Sequence, residues 1–253
     1  MKIIIITQNE PFYLGQNLKY LFGVLSKDVK VVGCVVNSVS PFGKKENFYR
    51  KTIKTLKVFG PVFFMYYSIK FVFSKLVKPS LKKLLKENRI PEIQLEGNIN
   101  SETNLAIIRS YNPDLLVSIL GNQIFKKPLI DLAPQGCINL HTALLPKYRG
   151  LMPTFWVLKN NETHTGVSVF FVNEGIDSGP IILQKKVEIG NRTHAALIKH
   201  TKKMGMELIV DAIAKIQRGK FEITNNPDSE MSYYSFPTRK DVQEFKRSGK
   251  KFF

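Results

Sequence analysis

The chain has 253 residues, of which 43% are hydrophobic and 23% are charged, a composition that permits a globular core and excludes a collagen-like or wholly disordered chain. It carries 38 lysines and arginines against 20 acidic residues, and the net charge of +18 favours anionic partners such as phosphorylated substrates, nucleic acid or an acidic membrane. Two cysteines, Cys34 and Cys137, are too few for a disulfide framework and predict buried thiols in a cytoplasmic protein. No membrane span is expected, because the longest uncharged apolar run, 58–69, has twelve residues where a span needs about 18.

Strand and helix patterns alternate along the chain. A β-branched run at 2–7 predicts a strand covered on both faces, and 16–25 predicts a helix with one apolar face. The further predicted elements are, in chain order, a strand at 29–36, a helix at 101–111, strands at 115–120 and 137–141, two strand-like runs at 166–172 and 181–189, and a helix at 193–218 that ends at Gly219. This alternation predicts an α/β fold with a doubly wound, mainly parallel sheet. Residues 1–219 are expected to form one domain and residues 220–253 a C-terminal arm.

Residues 42–90 are predicted to form a helical insertion with thirteen lysines and arginines, two glutamates and many aromatic side chains. Two interpretations fit this composition. The insertion either packs on the sheet with its aromatic side chains in the core and its lysines in water, or lies as a cationic amphipathic helix on an anionic membrane surface. The arm is expected to be extended, with a short helix after Lys240 that docks through Phe236 and Phe245.

A candidate site lies at the end of the strand predicted at 137–141. Because side chains alternate along a strand, Asn139 and His141 share one face, and open α/β sheets bind ligands at the carboxyl ends of their strands. Asp177 follows in a glycine-flanked loop between two predicted strands. On these grounds alone the trio is either a catalytic site or a histidine satisfied within the core. The other histidines are interpreted as structural: His164, His194 and His200.

Two segments around this trio, 138–158 and 165–182, resemble the signature of the N10-formyltetrahydrofolate-dependent formyltransferases. That family includes methionyl-tRNA formyltransferase, glycinamide ribonucleotide transformylase and the nucleotide-sugar N-formyltransferases, and the last group is the most similar. The matching positions are Asn139, His141, Leu144, Leu145, Pro146, Arg149, Gly150, Pro153 and Asp177. One position departs from the family pattern, since Ala143 stands where a serine is usual. Because that serine is not one of the family's three catalytic residues, the departure is expected to alter loop bracing or substrate contacts rather than the chemistry.

The resemblance implies a Rossmann-like formyltransferase fold and N10-formyltetrahydrofolate as co-substrate. No metal is expected, because no cluster of histidines and cysteines has metal-ligand spacing. Asn139 would donate a hydrogen bond to the oxyanion, His141 would carry the proton from the amine to the leaving nitrogen, and Asp177 would orient His141. The folate is expected between two loops that contain Ser118, Ile119, Leu120, Gly121, Ile124, Val172, Glu174, Gly175 and Asp177. The acceptor is expected at Asn9, Lys147, Arg149 and Gly150.

The acceptor amine is less well determined than the chemistry. A nucleotide-linked amino sugar is favoured, as in lipopolysaccharide O-antigen biosynthesis. The 34 residues after Gly219 are too few for the barrel domain of the tRNA enzymes. No glycine pair follows the first strand to cradle a ribonucleotide phosphate. The alternatives are methionyl-tRNA, glycinamide ribonucleotide, hydrolysis of the formyl folate, and a non-catalytic basic module on nucleic acid or membrane. A homodimer is compatible with this size, and nucleic acid is disfavoured.

Overall fold

The computed structural model describes residues 1–37, 47–77, 80–121, 123–219 and 221–253. Its centre is a seven-stranded sheet in the order β3-β2-β1-β4-β5-β7-β8. The first five strands run parallel, β7 pairs antiparallel with β5, and β8 pairs antiparallel with β7. The strands are β1 Lys2–Gln8, β2 Lys30–Asn37, β3 Glu92–Ile93, β4 Leu115–Ile119, β5 Cys137–His141, β7 His164–Phe171 and β8 Ile181–Glu188. The predicted α/β class, the parallel majority and the terminal strand pair are confirmed. The short strands β6 Arg149–Gly150 and β9 Tyr233–Tyr234 form a separate parallel pair.

Helices cover both faces of the sheet. The helices in the described part of the chain are α1 Leu14–Val24, α2 Phe48–Phe59, α3 Pro61–Val77, α4 Leu81–Glu87, α5 Glu102–Ser110, α6 Lys127–Ile130, α7 Pro153–Lys159, α8 His194–Arg218 and α9 Arg239–Arg247. One apolar cluster joins α1, α4 and α8 to β1 and β4, and another joins α5 to the opposite face. Helix α8 begins where the Thr193 side chain accepts a hydrogen bond from Ala196 N and ends at Gly219, whose φ of 66° is left-handed, as its sequence predicts.

The predicted insertion at 42–90 contains α2, α3 and α4, while residues 42–46 and 78–79 lie outside the described residues. The structure tests the core interpretation of this segment, and the membrane interpretation stays a prediction. Phe59 and Phe63 are buried in an aromatic cluster, whereas six apolar residues of α3 lie exposed. The core interpretation is therefore correct for only one side of α3.

The C-terminal arm packs closely on the insertion and on α7. Its helix α9 buries Val242 and Phe245, and Phe245 stacks on Phe155 with the ring centroids 5.0 Å apart. Phe236 meets the Phe59 ring edge to face at 5.8 Å. These contacts place the arm beside the carboxyl ends of the central strands. None of the helices among the described residues is long and apolar enough to cross a bilayer.

Candidate active site

A cavity of about 560 Å³ opens where β1, β4 and β5 end. This is the edge at which parallel α/β sheets hold ligands, and the volume suits a small-molecule site. Asn139, His141 and Asp177 all line it, so the structure brings the three predicted catalytic residues together. Asn139 and His141 are two positions apart on β5 and oppose Phe170 and Ser168 of β7.

The imidazole of His141 is held at both ring nitrogens. Nε2 lies 2.8 Å from the Tyr148 carbonyl oxygen, and because a carbonyl only accepts, Nε2 carries the hydrogen in this contact. Nδ1 lies 3.5 Å from Asp177 Oδ2, with both side chains largely buried. Nδ1 is therefore the nitrogen that is able to exchange a proton within the cavity, and a carboxylate lies beside it.

Asp177 is fixed in place by backbone and side-chain contacts. It adopts a left-handed φ of 49°, and its Oδ2 accepts a hydrogen bond from Gly150 N at 2.9 Å. Its own carbonyl accepts from Asn226 Nδ2 at 2.9 Å. Asn226 in turn accepts, through its side-chain and backbone oxygens, from Arg149 Nη2 at 2.9 Å. A chain of hydrogen bonds thus runs from Arg149 through Asn226 to the backbone carbonyl of Asp177.

The loop after His141 is braced from the sheet. The Ser168 hydroxyl donates to Ala143 O at 2.6 Å and accepts from Leu145 N at 3.1 Å. Gln184 Nε2 donates to the same hydroxyl at 2.9 Å and to Leu145 O at 2.8 Å. Ser168 is fully buried and lies opposite His141 in the β5–β7 ladder. The bracing that the sequence left uncertain at Ala143 is therefore supplied by Ser168 and Gln184.

Most of the residues predicted for the folate line the cavity. They are Ser118, Ile119, Leu120, Gly121, Ile124, Val172, Gly175 and Asp177. Glu174 differs, since it is exposed, is not among the lining residues, and its Oε1 accepts from Lys127 N at 3.3 Å. Leu120 has a left-handed φ of 62°, which turns the chain sharply at the end of β4.

Of the four residues predicted for the acceptor, Gly150 alone lines the cavity. Asn9 and Lys147 are exposed and are not among its lining residues. Arg149 is buried, and its Nη1 forms a 2.6 Å ion pair with Asp228 Oδ1. The guanidinium thus contacts the segment after α8, in which Asn226 donates to the Asp177 carbonyl.

Three polar residues of α8 that the sequence prediction did not include line the cavity, and they are His194, Thr201 and Lys202. Lys202 lies 3.5 Å from Glu10 Oε2, and burial lowers the pKa of its ammonium while Glu10 opposes that shift. His194 is buried with Nδ1 unpaired, and its Nε2 lies 3.3 Å from Thr154 Oγ1. Burial lowers the pKa of His194 to about 4. A single face of α8 borders the cavity, since the lining residues of this helix are 194, 198, 201, 202 and 206. Polar residues on this otherwise apolar face were the sequence pattern that could have predicted their place in the site.

Comparison with known proteins identifies the family of this chain. The family model described as formyl transferase matches residues 72–213, more than half of the chain. This protein belongs to the formyl transferase family. The resemblance inferred from residues 138–158 and 165–182 is therefore confirmed.

Curated relatives of this formyltransferase include methionyl-tRNA formyltransferases from Kosmotoga olearia and Thermodesulfovibrio yellowstonii. The first is 32% identical over 169 residues, 66% of this chain and 54% of the relative. The second is 35% identical over 167 residues, 66% of this chain and 53% of the relative. The chain thus spans about half the length of the curated relatives that it matches.

Solved structures share its fold at lower identity. A sugar N-formyltransferase from Shewanella has a TM-score of 0.62 at 20% identity and covers 97% of this chain and 87% of its own. A phosphoribosylglycinamide formyltransferase from Anaplasma phagocytophilum has a TM-score of 0.63 at 16% identity and covers 92% and 98%. At these identities the likeness supports the fold and does not distinguish between acceptors.

Proposed function

We propose that this protein transfers a formyl group from N10-formyltetrahydrofolate to the primary amine of a small phosphorylated acceptor, a nucleotide-linked amino sugar. The observation that carries the transfer chemistry is the 3.5 Å approach of His141 Nδ1 to Asp177 Oδ2, with Asn139 on the same strand face. Family membership supports the folate-type donor. The acceptor rests on the shape and charge of the cavity.

In the proposed reaction the amine attacks the formyl carbon, a new C–N bond forms, and the carbonyl oxygen becomes an oxyanion. The Asn139 amide donates a hydrogen bond to that oxygen. His141 Nδ1 takes the proton from the amine and delivers it to N10 of the folate as the C–N10 bond breaks, while Asp177 stabilises the protonated imidazole. The products are the N-formylated acceptor and tetrahydrofolate, with one proton moved from the amine to N10.

The acceptor end of the cavity combines aromatic rings with a cation. Phe12, Tyr13 and Tyr67 contribute to this wall, and Lys202 is the one lysine or arginine among the described lining residues. Lys202 Nζ lies 4.9 Å from the centre of the Tyr13 ring. Rings suit the faces of a nucleobase or sugar, and a buried ammonium suits a phosphate oxygen. Lys202 therefore takes the anion-binding role that the sequence had assigned to Lys147 and Arg149.

Methionyl-tRNA is the second candidate acceptor. It is favoured by the curated relatives, which are 32% and 35% identical, and by the net charge of +18. A tRNA acceptor would be held mainly through phosphates, so its turnover would fall steeply as salt concentration rises. A compact nucleotide sugar bound inside a cavity would show a weaker dependence.

The test is turnover of N10-formyltetrahydrofolate to tetrahydrofolate with a panel of nucleotide-linked amino sugars, glycinamide ribonucleotide and methionyl-tRNA. Turnover with a sugar is expected, and His141→Ala should lower it by roughly 10²–10⁴-fold, the usual contribution of general acid–base catalysis. His200→Ala, on the exposed side of α8, is the matched control and should keep full activity. An active His141→Ala enzyme would contradict the mechanism, and turnover only with methionyl-tRNA would replace the sugar assignment.

A further inference from the structure

Helix α3 has two faces with different environments. On its inner face Phe63 and Tyr67 line the catalytic cavity and Ser74 is buried. On its outer face six apolar side chains are each between 57% and 79% exposed: Val62, Met65, Ile69, Val72, Phe73 and Leu76. Apart from the adjacent pair Val72 and Phe73, they are spaced three or four residues apart, which places them in one stripe along the helix. Monomeric soluble proteins seldom leave so continuous an apolar stripe in water without a partner.

The surroundings of this stripe are strongly cationic. The described stretches 47–77 and 80–90 contain ten lysines and arginines and a single acidic residue, Glu87. Residues 239–253 contain six lysines and arginines and two acidic residues. These segments are far apart in sequence, and the fold joins them, because Lys246 Nζ donates to Phe59 O at 3.1 Å.

The apolar surface continues onto the end of the arm. Phe253 stacks on Tyr66 with ring centroids 4.0 Å apart, and both rings remain more than a third exposed. Lys251, two residues before Phe253, is also exposed. An apolar stripe bordered by cations is complementary to a surface that is apolar inside and anionic outside. A second copy of this chain would bring like charges together, which disfavours self-association through this face.

We propose that α3 is an interfacial helix whose outer stripe seats the protein on an anionic phospholipid membrane. The stripe would enter the boundary between headgroups and acyl chains, while cations of α2 and α9 bind the lipid phosphates. Because the inner face of the same helix lines the cavity, the docked protein holds its cavity beside the headgroup layer. This inference is independent of which amine is formylated.

The test is sedimentation of the full chain with vesicles of phosphatidylcholine and phosphatidylglycerol in roughly a 2:1 ratio. We expect binding to these vesicles, little binding to pure phosphatidylcholine, and weakening by salt. The triple variant Ile69→Ser, Phe73→Ser, Leu76→Ser should lose at least about tenfold of the partition coefficient, because it removes apolar groups that enter the bilayer. Val24→Ser, which changes an exposed valine on α1, is the matched control and should bind like the wild type.

A second variant reports insertion directly. Phe73→Trp adds an indole on the stripe, and its fluorescence should shift to the blue with anionic vesicles, whereas the wild type, whose sole tryptophan is Trp156, should not shift. Failure of the wild type to bind anionic vesicles would overturn the proposal. So would unchanged binding by the triple variant, which would assign the attachment to surface charge alone. A wild-type dimer that the triple variant makes monomeric would assign the stripe to a second copy.

Discussion

His194 is an uncharged imidazole in the wall of the cavity. Its ring contacts Thr154 through Nε2 and is surrounded by Phe155, Phe245 and Phe252, with centroid distances of 6.2, 6.5 and 5.6 Å. Burial among these neighbours removes the ring from water, which disfavours its charged form and lowers its pKa to about 4. His194 therefore shapes the cavity as an uncharged group, while His141 carries the proton in the proposed reaction.

This burial predicts a pH dependence of stability. The unfolded chain binds a proton at His194 below a pKa of about 6.5, while the folded protein resists it until a pKa of about 4. The free energy of unfolding should therefore decrease as the pH falls from 6.5 towards 4, by about 3 kcal/mol in total from this residue.

Urea unfolding at several pH values measures the effect. His194→Gln should flatten the dependence in that window, and His200→Gln, which changes an exposed histidine of the same helix, should leave it unchanged. An unaltered slope in His194→Gln would show that another group is responsible.

Lys202 provides a second prediction at a single residue. Lys202→Met preserves the length of the side chain and removes the ammonium, so the KM for the acceptor should rise about 10- to 100-fold, the value of a charge-assisted hydrogen bond. Binding of the folate should change little, because its predicted residues lie on the loops after β4 and β7. Lys199→Met, on the exposed side of α8, is the control. An unchanged acceptor KM in Lys202→Met would remove Lys202 from the acceptor site.

At the scale of elements, β7 does more than extend the sheet. Its Ser168 hydroxyl binds the loop after His141, and this loop contains Tyr148, whose carbonyl contacts the His141 imidazole. Thr165 lies on the same strand, also buried, and its Oγ1 has no hydrogen-bond partner. Strand β7 thus carries one buried hydroxyl with hydrogen-bond partners, that of Ser168, and one without, that of Thr165.

Ser168→Ala should lower the free energy of unfolding by about 1–3 kcal/mol, because Leu145 N and Gln184 Nε2 lose their shared acceptor. Thr165→Val should be neutral or stabilising, since it replaces an unpaired hydroxyl by a methyl group. Chemical denaturation of the two variants measures the difference. Equal losses in both would mean that the bracing of the loop does not depend on Ser168.

Long elements were predictable and short ones were not. Strand β5 was predicted at 137–141 and is found as Cys137–His141, and α8 differs from its prediction by one residue. Helix α7 was missed because its seven residues begin with Pro153 after a left-handed Met152, a pattern that local periodicity does not report. Strands β6 and β9 have two residues each and exist only because the arm returns to the site.

At the scale of the whole molecule, folding brings the positively charged segments of the chain together. The insertion and the arm are the two basic parts of the sequence, and packing of α9 against α2 places them together. Such a concentration of like charge is unfavourable for the compact state at low salt. The chain compensates by burying the aromatic side chains of both segments in one cluster, which includes Phe59, Phe63, Phe245 and Phe252.

Salt should therefore stabilise the folded protein. Raising NaCl from about 20 to about 200 mM screens the repulsion and should raise Tm by about 2–4 °C, the equivalent of roughly 1 kcal/mol for a chain of this size. The double variant Lys82→Glu, Lys86→Glu on the exposed side of α4 lowers the net charge from +18 to +14 and should show a smaller rise. A Tm that falls with salt would show that specific ion pairs, such as Arg149–Asp228, outweigh the net charge.

The sequence by itself determined the parallel α/β architecture and the family, and it predicted the trio of Asn139, His141 and Asp177. These follow from strand periodicity and from a motif whose catalytic residues are mostly close in the chain. The tertiary structure alone decided that Arg149 braces Asp177 through Asn226, that Lys202 and His194 enter the cavity, and that α3 has a buried and an exposed face. Each of these depends on contacts between segments tens of residues apart. Local sequence patterns do not indicate which distant side chain will pair with a buried charge or cover an apolar face.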